Sequence, residues 1–164
     1  MRMKIELRSA VDFLANFIRT SKYVTDEQLN NFRATLLNLL HQKYENHWFP
    51  EKPCKGSGYR CLRLNHNMDP TIREAGLSCG LNQKALEQLL PKELTMWVDP
   101  KEVAYRLGEN GSIGVVFDGT VRIQSFFSDF ASPASNNRSM QQSCKGNMFI
   151  SRDNFQPIAT LVQG

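Results

Sequence analysis

The stretch that decides the fold runs from residue 94 to residue 117 and reads LTMWVDPKEVAYRLGENGSIGVVF. Asp99-Pro100 could start a helix, because an acceptor followed by proline is a helix-start signal. The residues after it favour strands instead, and Asn110-Gly111 is a pair that hairpin turns prefer. Three segments have the alternation or the β-branched, apolar composition of strands: Leu94–Val98, Val103–Leu107 and Ile113–Phe117. The stretch therefore predicts strand–turn–strand pairing.

The residues before this stretch supply one more strand and two short helices. Tyr59 to Asn65 has the period of a half-buried strand. Asp69-Pro70 predicts a helix that ends near Cys79, with Gly80 as its C-terminal cap. Asn82 to Leu89 predicts a second short helix that stops before Pro91.

Two longer amphipathic helices are predicted at the N-terminal end, over residues 3–20 and 25–45. Apolar residues recur there at spacings of three and four, as one helix face requires. Thr25 followed by Gln28 resembles a capping box. Helices followed by strands predict an α+β fold, with helices packed on one face of a small, mainly antiparallel sheet.

The composition changes after Asp118. Residues 128–147 are rich in Ser, Asn and Gln and poor in apolar anchors, so we expect a domain over 1–118 and a mostly disordered tail over 119–164. Ser132-Pro133 in the tail fits a proline-directed phosphorylation site.

The charge of the chain argues against a dedicated nucleic-acid-binding protein. Lys and Arg outnumber Asp and Glu by 16 to 14 in residues 1–118 and by 4 to 2 in residues 119–164, so the net charge of +4 is spread thinly. We expect no direct nucleic-acid binding.

No segment is apolar over the length of a membrane span. Glu6, Arg8 and Asp12 interrupt any signal-peptide core, which favours an intracellular protein.

The sequence contains no recognisable catalytic or metal-binding pattern. The cysteines at positions 54, 61, 79 and 144 form no C-x-x-C pair, so we expect free thiols and neither a metal nor a cofactor. A hydrolase that uses Ser57 or Cys54 would need a titratable base in a concave site. We therefore predict that the protein is not an enzyme.

Two LxxLL patterns occur, at Leu36–Leu40 and Leu86–Leu90. Such a helix can lie in the groove of a partner protein. The same leucines also continue the apolar stripe of their helices, which favours packing in the core.

Two long segments resemble a known family. Residues 47–61, HWFPEKPCKGSGYRC, look like the first signature box of the BTG/Tob antiproliferative proteins, and residues 90–111, LPKELTMWVDPKEVAYRLGENG, look like the second. The resemblance covers about residues 1–118 and is closest to the short BTG members. It implies the same domain of helices on a small sheet that the residue patterns predict.

The resemblance also implies a function and a site. It implies a non-enzymatic adaptor that binds the catalytic deadenylase subunit of the carbon-catabolite-repression/NOT complex, promotes mRNA poly(A) shortening and decay, and restrains proliferation in the cytoplasm and nucleus. The family's deadenylase contacts map onto Tyr59, Trp97 and Asp99. Tyr and Trp are common interface hot spots, and an aspartate at the rim of such a patch could accept a charge-assisted hydrogen bond. The strand period puts Trp97 and Asp99 on the same face.

Other partners are implied as well. Residues 111–117 resemble a segment that contacts the first RNA-recognition module of cytoplasmic poly(A)-binding protein, with Gly114 where short members usually carry Cys. The alternative function is a transcriptional coregulator that binds nuclear factors through its LxxLL helices. Exposure of Leu36, Leu39 and Leu40 would decide this alternative.

Overall fold

A computed structural model describes residues 3–119, which form a domain of helices and one sheet. The helices are α1 (Lys4–Arg19), α2 (Asp26–Tyr44), α3 (Pro70–Ser78) and α4 (Gln83–Leu89). The strands are β1 (Cys61–Leu64), β2 (Leu94–Asp99), β3 (Glu102–Leu107) and β4 (Ile113–Asp118). The predicted α+β fold is confirmed.

Helices α2 and α3 begin where their capping residues predict. Thr25 accepts a hydrogen bond from the backbone N–H of Gln28 at 3.1 Å, and the Gln28 side chain accepts one from the Thr25 N–H at 3.1 Å, which completes the capping box. Asp69 caps α3 by accepting from the backbone N–H of Thr71 at 2.9 Å, and Pro70 follows at the first helical position.

The sheet is antiparallel throughout, in the order β1-β2-β3-β4. Helix α1 packs against α2 and against β2, β3 and β4. Met96 and Val98 of β2 are buried in the core with Leu62, Leu64 and Val103 of the neighbouring strands. Trp97 lies outside this core cluster, as expected for a residue on the opposite face of the strand.

One turn of the sheet was not predicted, and the predicted one is longer than a two-residue hairpin turn. Asp99 pairs with Glu102, so Pro100 and Lys101 form the tight turn, and Lys101 takes a positive φ of 69°. The predicted Asn110-Gly111 pair lies inside a longer connection, because β3 and β4 pair only as far as Arg106 and Ile113. The residue with positive φ in that connection is Gly108, at 76°.

Three further expectations concern the cysteines, membrane-spanning helices and the C-terminal tail. Cys61 and Cys79 are free thiols, whereas Cys54 is disulfide-bonded, contrary to the expectation of free cysteines. No helix within residues 3–119 is long and apolar enough to cross a membrane. The predicted tail beyond Gly119, with Ser132, lies outside the described residues.

Candidate functional site

The side chain of Arg60 organises the segment between α2 and β1. Arg60 is fully buried, and its guanidinium uses each of its five N–H donors. The acceptors are the carbonyl oxygens of His47, Pro53, Lys55 and Val98 and the carboxylate of Asp99. Three of these carbonyls come from residues 47–59, which we call the box segment, so Arg60 ties this segment to β2.

Asp99 completes the charge balance of this buried cluster. Its Oδ1 lies 2.8 Å from Nη2 of Arg60, and its Oδ2 accepts a hydrogen bond from the Ser57 hydroxyl at 3.0 Å. Gly56 has a positive φ of 77°, and a Cβ there would lie 3.0 Å from Nη1 of Arg60. A glycine is therefore needed where the box segment passes the guanidinium.

Tyr59 projects from the box segment to the surface. It is 46% exposed, although one face of its ring is covered. The ring stacks on His47 with centroids 3.9 Å apart, and Nζ of Lys43 lies 5.7 Å from its centroid. We call Lys43, His47 and Tyr59 the Tyr59 platform. Stacking restricts the ring to one orientation, so it loses less entropy when a partner binds it.

Trp97 is buried on the face of β2 opposite to Met96 and Val98. It is 3% exposed, with Cys61 and Ala104 as its partners in the neighbouring strands. Its indole Nε1 is a buried donor with no hydrogen-bond partner in the described part of the chain. A buried unpaired N–H costs free energy, about 1–3 kcal/mol, so such a group is notable in a folded protein.

The three predicted site residues therefore differ in exposure. Tyr59 is exposed, whereas Trp97 and Asp99 are 3% and 2% exposed. Asp99 does not lie at an exposed rim, because its carboxylate already accepts from Arg60 and Ser57. Asp99 is linked to the chain around Tyr59 by its hydrogen bonds with Arg60 and Ser57.

Sequence reasoning missed the roles of Arg60 and Ser57 in this buried cluster. The signal for Arg60 was present, because Arg60 is in phase with Leu62 and Leu64, which the strand period buries. A charged side chain in a core-facing position indicates a buried partner of opposite charge. The partner itself, 39 residues away in the chain, could not be identified from that signal.

The LxxLL leucines lie in the core, as the helical stripe predicted. Leu36 and Leu40 are fully buried and Leu39 is partly buried against the core cluster. Leu86 is also fully buried. A receptor groove could take these leucines only if the helices left the domain.

The side chain of Ser57, the possible hydrolase nucleophile, is buried. Ser57 is 3% exposed, and its hydroxyl is engaged by a carboxylate that Arg60 neutralises. Two surface depressions in the described domain are lined by other residues. No group of three or more His, Cys, Asp or Glu side chains within residues 3–119 could hold a metal ion.

Comparison with known proteins identifies relatives of this chain and of its fold. Residues 3–117 match the model of the BTG family. The chain is 46% identical to Protein BTG1 of Gallus gallus over 152 residues, which are 90% of this chain and 84% of that protein. It is 52% identical to Protein BTG2 of Homo sapiens over 113 residues, which are 69% and 72% of the two chains. The solved BTG/Tob domain of C. elegans FOG-3 has the same fold, with a TM-score of 0.62 and 21% identity over 74% of this chain and 90% of that one.

Proposed function

The chain belongs to the BTG family, and on this premise we propose that it is a non-enzymatic adaptor for mRNA deadenylation. Its partner is the catalytic deadenylase subunit of the carbon-catabolite-repression/NOT complex, and recruitment of that enzyme shortens poly(A) tails and restrains proliferation. The observation that carries the proposal is the exposed, stacked ring of Tyr59 on a box segment fixed by buried hydrogen bonds.

Tyr59 is the residue we assign to direct contact with the partner. An aromatic ring held in one orientation buries a large area with little loss of conformational freedom. Lys43 adds a positive charge beside the ring, and a cation at an interface rim steers an acidic partner. The Tyr59 platform therefore combines an anchor with a charge.

Asp99 acts in this proposal as a positioning residue. Its carboxylate already accepts hydrogen bonds from Arg60 and Ser57, so it has little capacity left to bind a partner. Through Arg60 it holds the box segment, and the box segment carries Tyr59. Loss of Asp99 would weaken partner binding because Tyr59 would lose its fixed position.

Trp97 contributes a hydrogen-bond donor. Its Nε1–H has no acceptor in the described residues, and an acceptor on the partner would remove the cost of leaving it unpaired. Because Trp97 is 3% exposed, the groups that cover the indole must move before a partner can reach it.

Calorimetric titration of the full chain with the purified deadenylase subunit tests the proposal. Tyr59→Ala should weaken binding by about 2 kcal/mol, or roughly 30-fold in Kd. Tyr23→Ala is the matched control, because Tyr23 is 82% exposed and lies in the connection between α1 and α2. Trp97→Phe keeps a ring and removes the N–H, and should cost about 1 kcal/mol of binding.

The outcomes separate the function from the site. If the wild-type chain does not bind the subunit, the adaptor function is wrong. If the wild-type chain binds and Tyr59→Ala binds as tightly as the Tyr23→Ala control, the adaptor function stands and the proposed contact through Tyr59 is wrong. Thermal unfolding of each variant establishes that the fold is intact.

A second proposed partner is the first RNA-recognition module of cytoplasmic poly(A)-binding protein. The observation that favours it is the position of β4 at the edge of the described sheet, where Val115 is 46% exposed. Val115→Lys should weaken binding of that module, measured by titration. Leu77→Lys is the control, since Leu77 is 58% exposed on α3. Equal binding by both variants would remove β4 from the interface.

A further inference from the structure

Helices α1 and α2 line a surface groove to which neither the box segment nor the sheet contributes a residue. The groove has a volume of about 310 Å³. Its lining comes from one face of each helix: Lys4, Leu7 and Arg8 from α1, and Ala34, Leu37, Asn38 and His41 from α2. This volume is at the lower end of the range of ligand pockets, about 300–1,000 Å³, so the groove has room for one or two side chains of a partner.

The floor and the walls of the groove differ in chemistry. Leu7 is fully buried beneath it and Leu37 is partly buried, so the floor is apolar. Lys4 and Arg8 are exposed on one wall and His41 stands on the other. No acidic side chain lines the groove.

The acidic residues nearest in helical spacing flank the groove. Asp12 is one turn beyond Arg8 and is paired with Arg33 at 3.2 Å, which removes it as a partner for Arg8. Glu45 is one turn beyond His41, at the C-terminal cap of α2. The groove itself therefore presents positive charge around an apolar floor.

We propose that this groove is a docking site for an acidic amphipathic segment of a partner protein. Carboxylates of the segment pair with Lys4 and Arg8, and an apolar side chain between them packs on Leu7 and Leu37. The lining of α2 extends over eight residues, Ala34 to His41, which is a rise of about 10 Å along the helix and fits roughly two turns of a helical segment. The groove shares no residue with the Tyr59 platform, and the inference does not use the proposed function.

Charge decides against two other occupants. The residues after Gly119 carry four Lys and Arg against two Asp and Glu, so the chain's own C-terminal part has the wrong sign. A second copy of the chain also carries a net positive charge, +4. A nucleic acid would supply negative charge, but the groove offers no aromatic ring for base stacking and its apolar floor would stay uncovered.

A display library of random peptides about three helical turns long, screened on the full chain, tests the docking site. We expect the recovered peptides to place Asp and Glu around Leu, Ile or Phe. The double substitution Lys4→Glu, Arg8→Glu should weaken the best synthetic peptide about tenfold or more in fluorescence anisotropy. Ala34→Trp, which fills the groove from an exposed position, should do the same.

The matched control changes the same charges elsewhere. Lys84→Glu, Lys92→Glu reverses two exposed lysines on and after α4 and should bind as the wild type does. Recovery of no acidic-apolar peptides, or equal affinity for all variants, would overturn the proposal. Displacement of the bound peptide by an oligoadenylate would also overturn the proposal, because it would indicate that the groove binds nucleic acid. A dimer in sedimentation that the Lys4→Glu, Arg8→Glu substitution dissociates would indicate a second copy instead.

Discussion

Nη2 of Arg60 and Oδ1 of Asp99 lie 2.8 Å apart, and the two residues are 0% and 2% exposed. This buried ion pair joins the start of β1 to the end of β2. Taking two charges out of water is costly, so the pair is stable only because the remaining donors and acceptors are also satisfied. Carbonyls of the box segment and the Ser57 hydroxyl meet that need. The fold and the position of Tyr59 thus depend on the same cluster.

Arg60→Lys should lower the free energy of unfolding by about 3 kcal/mol or more, measured by urea denaturation. A lysine ammonium has three donors and cannot reproduce the planar fork that reaches five acceptors. Arg63→Lys is the matched control, because Arg63 is only partly buried in β1, the strand that follows Arg60. A loss at Arg60 no larger than at Arg63 would show that the hydrogen bonds of the guanidinium contribute little.

Asp99→Asn should loosen the box segment more than the helices. The substitution leaves the Arg60 charge buried without its partner, at a cost of about 3 kcal/mol. Hydrogen exchange should accelerate at the backbone amides of Lys55, Ser57 and Tyr59, which donate within that segment. Ser57→Ala removes only the second hydrogen bond of the carboxylate and should cost about 1 kcal/mol. Unchanged exchange in the box segment of the Asp99 variant would contradict its positioning role.

Tyr44 should make the domain sensitive to alkaline pH. Burial, followed by the negative charge of Asp69, raises the pKa of Tyr44 well above its ordinary value of 10.0. Its contribution to stability is fully present below that ordinary value. As pH rises above it, the unfolded chain releases the phenolic proton while the folded chain retains it, so stability falls.

Tyr44→Phe isolates this effect. It removes the 3.0 Å hydrogen bond from the Tyr44 hydroxyl to the Arg60 carbonyl, so it should cost about 1 kcal/mol near pH 7. The difference in unfolding free energy between the two proteins should shrink as pH rises above about 10. A difference that stays constant from pH 7 to alkaline pH would show that the phenol ionises equally in both states.

Gly76→Ala should destabilise the contact between α3 and α4. A Cβ at Gly76 would lie 2.5 Å from a methyl carbon of Leu86 and 2.9 Å from the Leu81 carbonyl oxygen. Alanine favours helix by about 1 kcal/mol over glycine, but overpacking costs about 1–3 kcal/mol, so the net effect should be a loss. Glu74→Ala on the exposed face of α3 should stay within about 0.5 kcal/mol in the same thermal unfolding measurement.

Much of the fold could be predicted from local patterns. The capping box of Thr25 and Gln28, the Asp69-Pro70 helix start and the alternation from Val103 to Leu107 each depend on residues within a few positions of one another. Interactions at that range are visible in the sequence because helix and strand periods are fixed by backbone geometry. The turn at Pro100 and Lys101 was not predicted, since it depends on the pairing of Asp99 with Glu102, which leaves a non-glycine residue at a positive φ of 69°.

The sequence by itself determined the elements, their order and the aromatic residues of the two signature segments. Only the tertiary structure decided which of those residues reach the surface. The register of β1 against β2 sets Cys61 opposite Trp97, and Arg60 reaches Asp99 across 39 residues of chain. Such contacts depend on how whole strands align and pack rather than on local periods. For that reason Asp99, which the sequence suggested as a rim acceptor, is instead the buried counter-ion of Arg60.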